Sequence, residues 1–357
     1  MYPQQIIDAL HHVRYPGTGK DLIDSGMLED DIRISGLAVS FSLIFEKDND
    51  PFIIIFEKDN DPFIKSVIKA SETAIKTYVD ENAAVSIHTK FVNKNAQPET
   101  HKPSIHAKQI IAIHSGKGGV GKSTVAANLA VALAKRGYKV GLLDADIHGP
   151  SMPKMFHTED CRPVSITIDG RDLIEPIEQY GVKMLSIGFF VDPTNAVVWR
   201  GGLASNAIKQ LIEDAYWGEL DYFLIDLPPG TSDIHLTLVS ELQLTGAIVV
   251  TTPQPVALVD ARKGVDMFRN EKINVPVLGI IENMAWFTPA ELPNNRYYIF
   301  GQDGGKKLAE ELNVPLLGQI PLVQSVREAG DNGMPIALQD GHPAAALFDK
   351  ICQALQN

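Results

Sequence analysis

Gly116, Lys117, Gly118, Gly119, Val120, Gly121, Lys122, Ser123 and Thr124 form a run whose spacing suits a phosphate group. Gly116 to Ser123 fits G-x-x-x-x-G-K-[ST], following an apolar run and preceding a helical one, as that pattern requires. The glycines let backbone N–H groups approach phosphate oxygens, and a helix N-terminus behind them favours negative charge. Lys122 is placed to neutralise β- and γ-phosphate charge, and the Ser123 hydroxyl to ligate Mg²⁺. Lys117, at the entry, is a second lysine where such a loop needs only one. Two further stretches carry carboxylates. In "LLDADIHGPS", Asp144 and Asp146 follow an apolar run, and Asp146 is placed to position an attacking water and reach the metal. In "YFLIDLPPGTSD", Asp226 ends an apolar run as a metal-directed aspartate of such sites does. Pro228, Pro229 and Gly230 then make a loop able to sense a γ-phosphate.

These groups need strand ends to hold them. From about residue 108 onward, short apolar runs alternate with helical stretches: "QIIAIHS", "KVGLLDAD", "VKMLSIG", "DYFLIDLP", "GAIVVTTP", "VPVLGIIEN" and "PLLGQIP". Continuous apolar runs mark strands buried on both faces. Their alternation with helices predicts an α/β fold with a doubly wound, mostly parallel sheet, and ligands on such sheets bind at the carboxyl ends of the strands. The chemically suggestive residues all follow such runs.

Residues 1–90 read differently, as a small α+β domain. "QQIIDALHHV" has helical spacing, "DDIRISGLAVSFSLIF" alternates like paired strands around Gly36, "PFIKSVIKASETAIKTYV" is helical and "AAVSIHTKF" is a strand. Residues 91–107, polar and holding Pro98 and Pro103, read as a linker, and 108–357 as the phosphate-binding domain. "IFEKDNDPFI" occurs at 44–53 and again at 55–64. An odd offset of 11 would swap the faces of a continuing strand. The second copy therefore opens the helix, with Asp61 as N-cap and Pro62 at the first helical position, and the first copy forms an extra loop or hairpin without function.

The net charge of −12 argues against broad electrostatic binding to nucleic acid or anionic membrane. No apolar run is long enough to span a bilayer, the start lacks a signal-peptide layout, and two cysteines, Cys161 and Cys352, make no disulfide framework. A cytoplasmic location is expected.

"KGGVGKST" with Lys117 resembles the deviant phosphate loop of the MinD/ParA/nitrogenase-iron-protein class. "DADIHGPS", "WRGG", "DLPPGTSD" and "ENM" are more specific and resemble the Mrp/ApbC family of iron–sulfur cluster carrier ATPases. The first 90 residues resemble the small iron–sulfur-assembly-type domain often fused to such carriers, as in "GTGKDLIDSGML". The resemblance implies a Mg²⁺-dependent ATPase that works as a homodimer closed across ATP and carries a [4Fe–4S] cluster from an assembly scaffold to apo iron–sulfur proteins. It implies that Lys117 reaches the partner's nucleotide, in the manner of an arginine finger acting in trans. Asn283, in "IIENM", is implied to contact adenine, and Pro321 to border the base.

The chain also departs from that family. Many members carry C-x-x-C shortly after "ENM"; here the stretch is "ENMAWFTPAELPNNRYYIFG", without cysteine. Relatives of the small domain often carry a cysteine before the helix-opening proline, where Asp50 and Asp61 stand here, and their early Asp-Pro is Tyr15-Pro16. Cys352, on the apolar side of a helix, reads as a small buried hydrophobe; Cys161, in a loop after the Asp146 segment, is left as the one candidate iron ligand. His114 and His148 read as structural neighbours of the phosphate loop. Two other readings stay open: a MinD/ParA-like positioning ATPase, and a regulatory ATPase switch without a cluster.

Overall fold

The computed structural model describes residues 1–14, 20–29, 31–46, 62–92, 105–147, 149–190, 201–231, 235, 238–239, 242–289 and 291–356. His148, Trp199, Arg200, Asp61, the Asp50-Pro51 pair, Tyr15-Pro16 and linker residues 93–104 therefore lie outside the description. The chain divides into two compact units: Met1–His101 with Pro163–Glu175 and Asp214–Tyr216, and Lys102–Arg162 with Pro176–Glu213 and Trp217–Asn357.

In the first unit the N-terminal elements are α1 (Pro3–Leu10), β1 (Arg33–Ser35), β2 (Ala38–Glu46), α2 (Pro62–Tyr78) and β3 (Ala84–Val92). β1 turns back antiparallel on β2 through Gly36 at φ 62°, and β3 pairs parallel with β2 after the α2 crossover. Val39, Phe41, Leu43 and Phe45 alternate onto one face of β2. Ile64, Val67, Ser71, Ala74 and Ile75 recur at helical spacing and cover that face with Ile6 and Leu10. Pro62 is the first helical residue, as expected, because its fixed φ suits that position and its missing N–H would have been an orphan there.

The second unit is built on β4 (His106–His114), β5 (Val140–Asp144), β8 (Ile177–Gln179), β9 (Val182–Ser186), β10 (Glu219–Asp226), β11 (Gly246–Thr251), β12 (Val277–Phe287) and β13 (Leu316–Leu322). All seven apolar runs read from the sequence are strands. The sheet order is β13-β12-β11-β4-β10-β5-β9-β8, parallel throughout except for β8 against β9. The chain steps from β4 to β5 and β9, returns to fill the gap at β10, then continues past β4 on the other side. That reversal makes the sheet doubly wound and puts a switch point beside β4.

Both faces of this sheet are buried. Ile248 and Val250 point into a core shared with α3 (Lys122–Lys135) and the helix Pro343–Ala354. Val249 and Ile280 point the other way, into the helices Pro255–Arg269 and Gly304–Leu312. This two-sided burial is why the strands read as unbroken apolar runs.

Besides the β8–β9 pair, a second hairpin is not among the expected elements. β6 (Val164–Ile168) and β7 (Arg171–Glu175) pair antiparallel around Asp169 and Gly170, both at positive φ. That turn matches the right-handed twist of its strands, and Asp-Gly between alternating residues is its sequence signal.

Candidate functional site

The site is assembled at the carboxyl ends of three adjacent strands, β4, β10 and β5. The phosphate loop leaves β4 after His114 and enters α3 at Lys122. Gly121, at φ 82°, takes the N-cap position, so no side chain caps the first turn and its N–H groups face the loop. A Cβ on Gly121 would collide with the Asn283 side-chain amide, and one on Gly116 with the Asp260 carbonyl. Two of the loop's glycines are therefore required by close packing beneath it as well as by access for a ligand.

Parallel register brings the acids together. Asp226 of β10 is the direct partner of Asp144 on β5. Lys122 Nζ bonds Asp226 Oδ1 at 2.6 Å, lies 3.3 Å from Ser123 Oγ, and is 3.9 Å from Asp146 Oδ2. Lys122 and both register partners are buried. Asp144 plays a different part from Asp146. Its carboxylate accepts from the Asp146 and Met152 amides and from Ser186 Oγ, at 3.1, 3.2 and 2.9 Å. It thereby fixes the turn that presents Asp146. Burial, and then the charge of Asp226, push the Asp144 carboxyl up to about 7. Burial also raises Asp226, opposed by the Lys122 ammonium.

Asp226 Oδ2 and Ser115 Oγ are buried and have no hydrogen-bond partner among the described residues. Asp226, Ser123 Oγ and Asp146 form a set of hard oxygen donors around the Lys122 ammonium, a donor set that fits Mg²⁺.

Lys117 is half-buried at the loop's entry and makes no hydrogen bond or ion pair among the described residues. Gly118 and Gly119 are exposed beside it, Val120 is buried, and Ser123 and Thr124 are half-buried. Asn283 sits on β12, and its Nδ2 donates to the Val120 carbonyl at 2.8 Å. The family resemblance implies an adenine contact for Asn283; its bond to Val120 braces the phosphate loop. Pro321 is the penultimate residue of the neighbouring strand β13, one residue beyond Ile320, the register partner of Asn283.

Several supports had no local sequence signal. Asn128 ties α3 to a distant turn, donating to the Thr124 carbonyl and accepting from the Ala337 amide, at 2.8 and 2.9 Å. Buried Glu282 accepts from the Lys306 amide at 3.0 Å and from Gln319 at 3.2 Å. His235 reaches the Pro228 carbonyl at 3.0 Å.

The two thiols are far from equivalent. Cys352 is fully buried in its helix, its Sγ 3.9 Å from the Leu129 carbonyl, and burial pushes the thiol up to about 12. That group is no thiolate ligand. Cys161 is partly exposed in the loop after α4 (Met152–Met155), its amide donating to the Thr158 carbonyl at 3.0 Å. In the stretch after "ENM", Arg296 stacks over Trp286 at 4.3 Å, Phe287 pairs with Tyr297 through two backbone bonds of 2.8 Å, and Tyr297, Tyr298 and Ile299 are exposed.

Known proteins resemble this chain over most of its length. Residues 106–356 match the family model of the NUBPL iron-transfer P-loop NTPase, and residues 3–49 match an iron–sulfur cluster assembly protein. An iron–sulfur cluster carrier protein of Synechocystis is 41% identical over 96% of this chain and 93% of its own length. One from Pseudomonas fragi is 48% identical over 75% of this chain and 91% of its own. Among solved structures, an Archaeoglobus fulgidus nucleotide-binding protein in complex with ADP is similar at TM-score 0.56 and 37% identity, covering 67% of this chain and 90% of that one. The septum site-determining protein MinD of Pyrococcus horikoshii, complexed with Mg-ADP, is similar at TM-score 0.51 and 26% identity, covering 70% and 96%.

Proposed function

Because the chain belongs to the iron-transfer P-loop NTPase family, we propose that it is an iron–sulfur cluster carrier that hydrolyses ATP to ADP and phosphate. The single observation that carries the ATPase half is the buried Lys122–Asp226 pair set under the phosphate loop, with Ser123 and Asp146 beside it.

In this reading the loop amides and Lys122 hold the triphosphate, with the uncapped first turn of α3 adding its dipole. Asp146, held in place by Asp144, orients the water that attacks the γ-phosphorus as the bond to the leaving ADP oxygen breaks. Mg²⁺, held by Ser123, Asp146 and Asp226, would neutralise charge on the β- and γ-phosphates. Lys117 makes no hydrogen bond or ion pair among the described residues, which supports a role across a two-fold axis on the nucleotide of a second copy. Such a cation supplied in trans is worth about 10³–10⁵ in rate, so an isolated protomer hydrolyses slowly and a dimer closed over ATP quickly. Asn283 and Pro321 border the adenine.

The cargo is an iron–sulfur cluster passed from an assembly scaffold to apo iron–sulfur proteins in the cytoplasm. A [4Fe–4S] cluster takes four thiolates. A dimer holds two copies each of Cys161 and Cys352, and burial withdraws Cys352. Cys161 is the iron ligand in this reading, and the remaining sites are filled by groups other than thiols of this chain, including those of the client. Cluster binding is therefore labile, which suits transfer.

The test is an anaerobic transfer assay. Reconstituted protein is mixed with an apo-ferredoxin, and cluster arrival is followed by the acceptor's absorption with ATP, ADP or no nucleotide. Transfer that depends on ATP supports the reading; ATP hydrolysis with no transfer in any condition favours a cluster-free switch instead.

A further inference from the structure

The loop after Asp226 has an unusual hydrogen-bonding problem. Leu227 is anchored by its amide to the Ile113 carbonyl at 3.0 Å, and Gly230 by its amide to the Ser115 carbonyl at 2.9 Å. Between them stand Pro228 and Pro229, which have no N–H to donate. Pro228 is buried, so its carbonyl needs a donor, and the donor that reaches it is His235 Nε2 at 3.0 Å. A carbonyl only accepts, so the ring carries its proton on Nε2.

His235 is itself buried, and its ring meets the edge of His114 at a centroid distance of 5.2 Å. His114 is the last residue of β4, immediately before Ser115, and its ring also makes an edge-on contact with Phe268 at 5.4 Å. One end of the His235 contact thus rests on the base of the phosphate loop, while the other holds the proline pair. Pro229, exposed at the tip, lies over the loop: a Cβ on Gly118 would be 4.0 Å from its Cγ.

We infer that His235 is a positioning residue for hydrolysis, holding the Pro228–Gly230 segment against the phosphate loop through the Pro228 carbonyl. It touches no phosphate. It supplies the donor seen on the Pro228 carbonyl among the described residues, in a segment where two successive prolines offer no N–H to anchor the chain, and so sets where the Gly230 amide and the Pro229 ring lie relative to Gly118 and Lys117. The inference rests on the ATPase reading for its kinetic consequence but not for its structural one.

Two variants test it. His235→Leu removes the donor, and His235→Gln restores one of similar reach. His235→Leu is expected to lower kcat by about tenfold or more, since small misplacements of a catalytic loop are costly, with KM for ATP and affinity for ADP unchanged. His235→Gln is expected to recover most of the rate. Amide exchange at Gly230 is read in the same proteins with ADP present, and rises in His235→Leu only. Wild-type kcat and Gly230 protection in His235→Leu would overturn the inference, as would equal losses in both variants, which would mark His235 as mere filling. Absence of ATP turnover in the wild type would refute the ATPase reading, and the exchange comparison would still decide the role of His235.

Discussion

Lys122 Nζ and Asp226 Oδ1 are 2.6 Å apart, with both side chains buried under the phosphate loop. The pair joins α3 to the end of β10. Removing the ammonium does two things at once. The γ-phosphate loses a charge that backbone amides do not replace, and Asp226 is left as an uncompensated buried carboxylate. Breaking a buried pair in this way costs about 3–5 kcal/mol. Lys122→Ala is therefore expected to lose both ATP binding and thermal stability, measured by calorimetric titration and melting. Full stability with only nucleotide affinity lost would show that Asp226 finds another partner.

Lys117 behaves oppositely. It has no ion pair to lose among the described residues, so Lys117→Ala should fold and bind ATP as the wild type does while hydrolysis falls. Mixing it with Asp146→Ala gives dimers in which one composite site has both groups. Recovered activity in the mixture supports action in trans, whereas none at any mixing ratio would place Lys117 on its own protomer's nucleotide.

His114 gives a pH dependence. Burial, then His235 and Lys122, hold it at about 3, well below its ordinary value of 6.5. Between those values the unfolded chain binds a proton that the folded chain refuses, so stability falls as pH drops from about 6.5 toward about 3. One such group contributes a slope of at most about 1.4 kcal/mol per pH unit. His114→Phe removes it, and denaturant titrations across that range should show a shallower acid decline than the wild type. Parallel profiles would mean that His114 takes up its proton in the folded protein.

Much of this architecture is legible in the sequence because the same forces write both. Two-sided burial of the central strands leaves unbroken apolar runs, and the loop from Gly116 to Ser123 is contiguous. The Asp169–Gly170 turn was also legible, but its hairpin lacks the strong apolar alternation that draws attention. Tyr180–Gly181, joining β8 and β9, carries the same positive-φ pattern at the sheet's edge. The bonds from Asn283 to Val120 and from Asn128 to Ala337 cross 163 and 209 residues. Nothing local announces such a bond, because it depends on where the fold delivers the chain.

The repeated segment lends itself to a direct deletion. Removing residues 44–54 leaves "IFEKDNDPFIK" between Leu43 and Ser66, so the end of β2 and the opening of α2 keep their residue types. The shortened protein is expected to melt and hydrolyse ATP as the full chain does. A marked drop in its melting temperature would show that the extra copy has become part of the domain.

In the proposed function this protein carries an iron–sulfur cluster although it has no cysteine pair after "ENM". The most direct test is iron and acid-labile sulfide counted per dimer after anaerobic reconstitution, in the wild type and in Cys161→Ser. Iron and sulfide are expected on the wild-type dimer, readily lost to a chelator and absent from Cys161→Ser. A wild-type dimer that takes up no iron, or a chelator-resistant cluster that survives Cys161→Ser, would contradict it.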